Sequence, residues 1–282
     1  MAKRNRVSIT LKKEILSLLD EKIIDHQKIR NRSQAIEYIL SQALLPKIKK
    51  CFILAGGKGK KIRPFSFEIP KPMLPVKGKP ILEWQIELLR ENDIREIIIL
   101  IGHLGEKIKY HFGDGKNFGV KITYLEQKEK EIGNVYALHL ARPFLEGESF
   151  LMLYGDILIE IDLKEFINFH LSSQNIATIA LTTLPEVAPY GVVKLKGPKV
   201  VSFKEKPKET LSSRVISAGL FCFEPEIFKF VSKSKKERLE EKVFPQLAKE
   251  KKLGGYVFEG KWFDIGTQED YEKALKEWKN EI

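Results

Sequence analysis

The first forty-five residues combine two periods of apolar and polar positions. From Arg4 to Leu11, apolar and polar residues alternate strictly, which predicts a strand with one buried face. Apolar residues then recur at helical spacing from Ile15 to Ile23 and from Ile36 to Leu44, which predicts two amphipathic helices. Asn31 or Ser33 offers a side-chain oxygen to cap the second helix. This segment is therefore expected to fold as a strand followed by two helices.

Such a segment cannot enclose a core alone, because its helices present their apolar faces to the same side. We therefore expect a homodimer in which the two strands pair as a ribbon narrow enough for the major groove of DNA. Residues 4–45 resemble the ribbon-helix-helix family of transcription factors. The resemblance implies binding to double-stranded DNA, with the strand facing the bases and the start of the second helix at a phosphate. The residues implied are Arg4, Arg6, Ser8, Thr10, Arg32 and Ser33. The alternative is a dimerisation arm that binds no DNA.

The pattern changes after a short basic connector. From Cys51 to His170, apolar runs typical of strands alternate with helical spacing, and from Ile176 the pattern becomes rich in strands before a last helix at Glu269 to Lys279. This alternation predicts an α/β fold with a mostly parallel sheet. The predicted domains are residues 1–46 for dimerisation and DNA binding, 47–50 for a linker, and 51–282 for a large domain.

Charge supports a polyanionic partner for the N-terminus. The 282-residue chain has a net charge of +11, and its first 50 residues hold 12 Lys and Arg against 5 Asp and Glu. Those residues therefore carry +7 of the +11. This asymmetry is typical of a nucleic-acid-binding segment, although a solvated basic tail would give the same count.

Composition also excludes several classes of protein. The chain is 43% hydrophobic, which rules out a disordered protein, and its apolar runs are much shorter than the roughly 18 residues of a membrane span. No cleavable signal pattern is recognised, so we expect a cytoplasmic protein without membrane contact. Cys51 and Cys222 lie in apolar runs without metal-ligand spacing, which predicts two buried thiols.

A glycine loop follows the first strand of the large domain. Gly56-Gly57-Lys58-Gly59 lacks the spacing of a P-loop and of a dinucleotide-binding fingerprint. Cations nevertheless concentrate beside it, at Lys60, Lys61, Arg63 and Lys71. Cations next to flexible backbone N–H groups suit a triphosphate, whereas the loop alone would be no more than a turn.

The loop belongs to a longer series of motifs. In chain order these are "LAGGKGKKIRPFSFEIPKPMLP", "YGDILIEIDL", "YGVVKLKGPKVVSFKEKP", "ISAGLFCFEPEIF" and "WFDIGTQEDYEKAL". Over residues 51–277 the chain strongly resembles the sugar-phosphate nucleotidyltransferases. The resemblance implies a Rossmann-like sheet with helices on both faces, and transfer of a nucleotidyl group from an NTP to a sugar 1-phosphate with release of pyrophosphate.

The resemblance also implies a Mg²⁺ cofactor and a set of site residues. Mg²⁺ would be held by Asp156 and Asp264, and Lys61, Lys71 and Asp156 would be catalytic. The implied nucleotide-binding residues are Ala55, Gly56, Gly57, Gly59, Lys71, Gln127 and Gly133. The implied sugar-phosphate-binding residues are Gly191, Glu205, Lys206 and Gly219.

One departure from the family pattern leaves turnover open. Lys61 stands where the family usually has an arginine, which keeps the charge and loses the bidentate fork. We therefore expect a DNA-binding homodimer, or a higher oligomer, whose large domain is a Mg²⁺-dependent nucleotidyltransferase. The alternatives are a transcription factor whose large domain senses a nucleotide or nucleotide sugar without turnover, and a plain enzyme with a dimerising arm.

Overall fold

The computed structural model describes residues 8–25, 29–44, 48–127, 133–208 and 212–278. The chain divides into two compact units, Met1–Lys47 and Ile48–Ile282. Each unit has its own hydrophobic cluster and is considered by itself. None of the helices in the described ranges is long and apolar enough to cross a membrane.

The first unit contains two helices, α1 (Lys13–Asp25) and α2 (Arg32–Leu44). They pack around a small cluster of buried side chains, Leu19, Ile29 and Ala35. The side-chain oxygen of Asn31 accepts a hydrogen bond from the backbone N–H of Gln34 at 3.0 Å, which is the predicted cap of α2. The two helices and this cap agree with the periodicity of the sequence.

The predicted N-terminal strand is not found where the structure can test it. Residues 8–11 are irregular, and a strand requires a partner strand, which the single chain does not supply in its described part. Of the predicted DNA contacts, Arg4 and Arg6 lie outside the described residues, whereas Ser8, Thr10, Arg32 and Ser33 are exposed. The guanidinium of Arg32 binds both carboxylate oxygens of Asp20, at 2.8 and 2.7 Å.

The second unit is built on a nine-stranded sheet with smaller sheets and helices around it. In chain order its elements are β1 (Lys50–Ala55), β2 (Pro75–Val76), β3 (Lys79–Pro80), α3 (Ile81–Glu91), β4 (Glu96–Ile101), α4 (Gly105–Phe112), β5 (Lys121–Glu126), α5 (Asn134–Leu145), β6 (Phe150–Tyr154), β7 (Ile157–Ile159), α6 (Leu163–Ser172), β8 (Ala177–Thr183), β9 (Gly191–Lys196), β10 (Lys199–Glu205), β11 (Val215–Phe223), α7 (Phe244–Lys249), β12 (Leu253–Val257), β13 (Trp262–Asp264) and α8 (Gln268–Glu277). The main sheet has the order β5-β4-β1-β6-β11-β8-β12-β10-β9. β2 pairs with β3, and β7 pairs with β13.

The main sheet is mixed, so the prediction of a mostly parallel sheet was wrong in its second half. β5, β4, β1 and β6 are parallel, as expected for strands joined by helices. β11 is antiparallel to β6 and β8, and β9 and β10 form an antiparallel hairpin around the turn at Gly197. For β9 and β10 the physical reason is that a short connection allows only antiparallel pairing, whereas parallel pairing needs a long crossover.

Helices cover both faces of the main sheet, as the resemblance implied. On one face α3, α4 and α6 pack against Cys51, Ile53 and their neighbours, and on the other α5 and α7 pack around Phe52 and Phe221. Cys51 and Cys222 are both free and fully buried, as predicted. A third cluster lies under β2, β7, β13 and α8. It supports the part of the fold that carries Asp264.

Candidate active site

The ends of β1 and β6 leave the main sheet side by side. Leu54 pairs with Tyr154 in parallel register, and the N–H of Gly155 donates to the carbonyl of Leu54 at 2.9 Å. The glycine loop at Gly56 and the turn that carries Asp156 therefore start next to each other. In open α/β sheets, ligands bind in the crevice outside the carboxyl ends of such strands.

A cavity of about 500 Å³ lies beside the glycine loop. It is lined by all the predicted nucleotide-binding residues, Ala55, Gly56, Gly57, Gly59, Lys71, Gln127 and Gly133. A Cβ atom on Gly56 would lie 2.7 Å from Oε1 of Gln127. Glycine at this position therefore lets the loop pack directly against the Gln127 amide, which a larger residue would displace.

A second cavity of about 290 Å³ adjoins the first. The predicted sugar-phosphate residues Gly191, Glu205, Lys206 and Gly219 line it, together with Asp264. A Cβ atom on Gly191 would collide with the ring of Phe203 and lie 3.0 Å from Oε2 of Glu205. The absence of a side chain at Gly191 thus leaves the carboxylate of Glu205 in place at the cavity wall.

Four residues line both cavities and form the wall between them: Asn134, Tyr154, Asp156 and Arg238. We call this group the shared wall. A ligand in the first cavity and a ligand in the second would meet there. Of the two predicted metal ligands, Asp156 lines both cavities and Asp264 lines the second.

Two carboxylates and one lysine cluster at the shared wall. Nζ of Lys71 lies 2.6 Å from Oδ2 of Asp156 and 3.8 Å from Oδ1 of Asp264. A main-chain bond also ties the residue after Asp264 to Asp156, because the N–H of Ile265 donates to the carbonyl of Asp156 at 2.9 Å. The pairing of β7 with β13 sets Asp264 opposite Ile157. Segments about one hundred residues apart are thus held together at one point.

Burial and charge shift the pKa values of this cluster. Burial, reinforced by the negative charge of Asp156, raises the pKa of Asp264 to about 7, and Lys71 only partly opposes this. Burial alone would lower the pKa of Lys71, but the carboxylates of Asp156 and Asp264 more than offset it, so the pKa of Lys71 is raised. The cluster therefore holds a permanent cation between two acidic groups that repel each other.

The stability of the protein should fall as the pH rises through about 7 in the absence of divalent cations. Asp264 keeps its proton up to that pH in the folded state but ionises near 3.8 when unfolded, so the unfolded state binds fewer protons between the two values. The free energy of unfolding should therefore decrease with pH in this window. Urea unfolding with EDTA, compared between wild type and Asp264→Asn, measures the effect. Identical pH dependence of the two proteins would contradict the shift.

The sugar-side cavity contains further charged groups. Burial, and then the nearby carboxylate of Glu240, raise the pKa of Glu205. Nζ of Lys206 lies 3.7 Å from Oε1 of Glu205, and the backbone of Lys206 has φ +42°, a left-handed conformation that is costly for a residue with a side chain. Strained backbone of this kind clusters at binding sites because surrounding contacts hold it in place.

Sequence reasoning missed a polar network at the shared wall. Nδ2 of Asn134 donates to the hydroxyl of Tyr154 at 2.7 Å and to Oε2 of Glu240 at 2.9 Å, and the Tyr154 hydroxyl donates to Oε1 of Glu240. Oδ1 of Asn134 accepts from the N–H of Leu239 at 2.7 Å. The network joins the start of α5 to the segment before α7. The position of Asn134 directly after Gly133 was the one available signal.

The predicted catalytic Lys61 lines neither cavity. Gly59, with φ +58°, begins a single helical turn in which Ile62 is fully buried and Lys61 is exposed to solvent. Lys58, Lys60 and Arg238 are the further cations of the described residues that line the first cavity with Lys71. Arg238 also lines the second cavity, and nothing in the motif series pointed to it.

Comparison with known proteins assigns the chain to a family. The family model described as "Nucleotidyl transferase" matches residues 50–281. The chain belongs to the nucleotidyl transferase family. The family match covers the second unit and begins after the first.

Individual relatives of this nucleotidyl transferase chain agree with the family match. It is 36% identical over 245 residues to a UTP–glucose-1-phosphate uridylyltransferase of Synechocystis sp., covering 80% of this chain. It is 32% identical over 232 residues to a mannose-1-phosphate guanyltransferase of Saccharomyces cerevisiae, covering 79% of this chain. The chain spans 62% of the length of each of these two relatives.

A solved structure gives the same fold. A UDP-glucose pyrophosphorylase complexed with UDP-glucose superimposes with a TM-score of 0.70 at 25% identity, over 81% of this chain and 97% of that chain. The α/β nucleotidyltransferase fold of the second unit follows from this likeness together with the family match.

Proposed function

We propose that the second unit transfers a nucleotidyl group from a nucleoside triphosphate to a sugar 1-phosphate and releases pyrophosphate. The position of the Lys71, Asp156 and Asp264 cluster at the shared wall carries this proposal. The glycine-loop cavity would hold the triphosphate, and the cavity at Glu205 and Lys206 would hold the sugar phosphate. The two relatives named above support glucose 1-phosphate with UTP and mannose 1-phosphate with GTP as the first substrates to test.

The reaction needs charge neutralisation more than a base. An oxygen of the sugar phosphate, already an anion, attacks the α-phosphorus of the triphosphate, and the bond to the leaving pyrophosphate breaks. The barrier arises from repulsion between anions and from charge on the leaving group. Arg238 and Lys206 would bind the sugar phosphate, and Lys58, Lys60 and Lys71 would offset the charge of the triphosphate.

The pair of carboxylates at the shared wall fits a divalent cation. In the described ranges no group of three or more His, Cys, Asp or Glu side chains is placed to hold a metal. Mg²⁺ commonly uses one or two carboxylates and completes its shell with substrate phosphates and water. Burial, and then repulsion from the carboxylate of Asp156, raise the pKa of Asp264, and a cation bound between the two carboxylates would relieve that repulsion. Mg²⁺ held by Asp156 and Asp264 would supply a dication to the phosphate oxygens.

Release of pyrophosphate from a matrix of NTPs and sugar 1-phosphates tests the proposal. Turnover with one substrate pair, lost in Asp156→Ala, would support the enzyme and name its substrates. Nucleotide or nucleotide-sugar binding by calorimetry without any turnover would favour the sensor instead. Turnover that survives in Asp156→Ala would contradict the proposed site.

Arg238 should contribute to binding of the sugar phosphate. Arg238→Ala should raise KM for the sugar 1-phosphate more than KM for the NTP, because the first cavity keeps Lys58, Lys60 and Lys71 whereas the described lining of the second keeps Lys206 as its cation. Each lost charge-assisted hydrogen bond costs about 1.5–3 kcal/mol. Steady-state kinetics with each substrate varied in turn measure this. Arg142→Ala is the control, since Arg142 pairs with Glu146 on α5 and lines neither cavity. Equal KM values in wild type and Arg238→Ala would contradict the assignment.

We propose in addition that the first unit forms a homodimer that binds double-stranded DNA. In this unit Ile15, Leu18, Ile39 and Leu40 are between 39% and 61% exposed, although the helices that carry them are amphipathic. An apolar face of this kind on so small a unit favours a second copy as its cover. The excess positive charge of the first 50 residues supports a polyanion as the ligand.

Light scattering and salt-dependent DNA binding test the two parts of this proposal on the full chain. Leu18→Glu should weaken the dimer relative to wild type, and affinity for a mixed pool of duplexes should fall steeply as salt increases. Arg6→Ala should weaken DNA binding, with Arg95→Ala as the control, since Arg95 lies in the second unit. A monomeric wild type, or duplex binding that does not respond to salt or to Arg6→Ala, would refute the corresponding part.

A further inference from the structure

We propose that Gln85 is a positioning residue for Asp156. Gln85 lies on α3 among aliphatic residues of the core and is 2% exposed. Burying an amide in such surroundings is costly unless its polar atoms are hydrogen-bonded. Its Nε2 donates to the carbonyl of Tyr154 at 2.9 Å and to the carbonyl of Ile157 at 2.7 Å, whereas its Oε1 has no partner among the described residues.

These two carbonyls flank Asp156 in the turn between β6 and β7. One side-chain amide therefore spans the turn and fixes its two ends relative to each other. The intervening main chain is held as well, by the bond from Gly155 to Leu54 and the bond from Ile265 to Asp156. The direction in which the Asp156 carboxylate leaves the backbone is thus set by the main chain, and Gln85 supplies the contact from α3.

The segment just before α3 also holds the Asp156 side chain, through Lys71. Lys71, which binds the Asp156 carboxylate, is separated from Gln85 by one short hairpin and the first turn of α3. Lys71 contacts the carboxylate from the cavity side, and Gln85 contacts the backbone from the core side. Mutation of a group that orients a metal ligand in this way commonly lowers the affinity for the metal.

This inference rests on the proposed metal site and predicts a specific defect in Gln85→Met. Methionine keeps the length and the helix preference of glutamine but donates no hydrogen bond. The midpoint of thermal unfolding of the full chain is measured against Mg²⁺ concentration, with Mg²⁺ alone as the probe. We expect the half-effective Mg²⁺ concentration to rise about tenfold or more in the variant. Its kcat/KM should recover in part at high Mg²⁺.

Two controls separate positioning from general stability. Ile86→Ala removes a fully buried side chain from the next position of α3 and should lower the unfolding midpoint without changing the half-effective Mg²⁺ concentration. Gln246→Met changes an exposed glutamine that bonds to Glu250 and should change neither quantity.

Each outcome decides between positioning and its alternatives. An unchanged half-effective Mg²⁺ concentration in Gln85→Met overturns the role of Gln85 while leaving the metal site intact. Failure of Gln85→Met to fold also overturns it, since the proposed effect is local and should destabilise no more than Ile86→Ala. A wild type whose unfolding midpoint does not respond to Mg²⁺ refutes the metal site itself, and the positioning role with it.

Discussion

Asp156→Asn should lower kcat/KM for pyrophosphate release by about 10²–10³-fold, the usual cost of removing one electrostatic group aimed at a transition state. Asparagine keeps the size of the side chain and removes its charge. The main-chain bonds around the turn, from Gln85, Ile265 and Gly155, do not involve the carboxylate and should persist. The loss should therefore appear in turnover, with little change in the fold.

A matched exposed aspartate provides the control for this experiment. Asp114 forms an ion pair with Lys116 at 2.9 Å, and both side chains are mostly exposed. Asp114→Asn makes the same chemical change outside both cavities and should leave kcat/KM within error of wild type. Comparable losses in the two variants, or an active Asp156→Asn, would contradict the role of Asp156.

Lys71→Met should both inactivate the protein and destabilise it at neutral and alkaline pH. Its side chain is 14% exposed, and its ammonium lies between the carboxylates of Asp156 and Asp264. Breaking a buried ion pair by removing one partner costs about 3–5 kcal/mol, because the remaining charge stays buried without compensation. The free energy of unfolding should therefore fall by a large fraction of that amount, and the triphosphate should lose a cation at its phosphates.

The pH dependence of this destabilisation distinguishes charge from packing. Without Lys71 the pKa of Asp264 should rise further above about 7, so protonation relieves the repulsion at low pH and the loss of stability grows as the pH increases. Urea unfolding at about pH 5.5 and about pH 8.5 measures it. Lys116→Met, which breaks the exposed pair with Asp114, should leave the free energy of unfolding nearly unchanged at either pH, because ion pairs between exposed side chains contribute little. A destabilisation of Lys71→Met that is independent of pH would indicate lost packing.

Much of the fold was predictable because each helix and strand leaves a local periodicity in the sequence. α1, α2, α3 and α6 were visible as helical spacing, and β1, β4 and β6 as apolar runs. The direction of the later strands was not predictable, because an apolar run in β8 or β11 reads the same whichever way its neighbour runs. Pairing direction depends on connections and long-range packing, which periodicity does not record.

The candidate site likewise contains some residues that the sequence predicted and others that it did not. The glycine loop and Asp156 follow strands directly, and Asp264 lies at the end of β13 within a recognisable motif, so the resemblance led us to expect the two aspartates together. Arg238 and Glu240 lie in a lysine-rich and glutamate-rich stretch that reads as an exposed surface. Their position at the cavities comes from the packing of that stretch on Gly133 and Asn134, for example the bond from the N–H of Gly133 to the carbonyl of Lys235 at 2.7 Å. A contact across a hundred residues leaves no local pattern.

The support beneath Asp264 determines how the protein would respond to heat. β13 pairs with β7 in a two-stranded sheet, and Phe263 packs with Leu158 and Trp278 in the third cluster, apart from the nine-stranded sheet. Peripheral units of this kind open at a lower free-energy cost than a central sheet does. On warming, the two aspartates would separate while most secondary structure persists, so the proposed activity should be lost before the transition seen by circular dichroism. Substitutions that strengthen the third cluster, rather than the main sheet, are therefore the ones that should extend the temperature range of that activity.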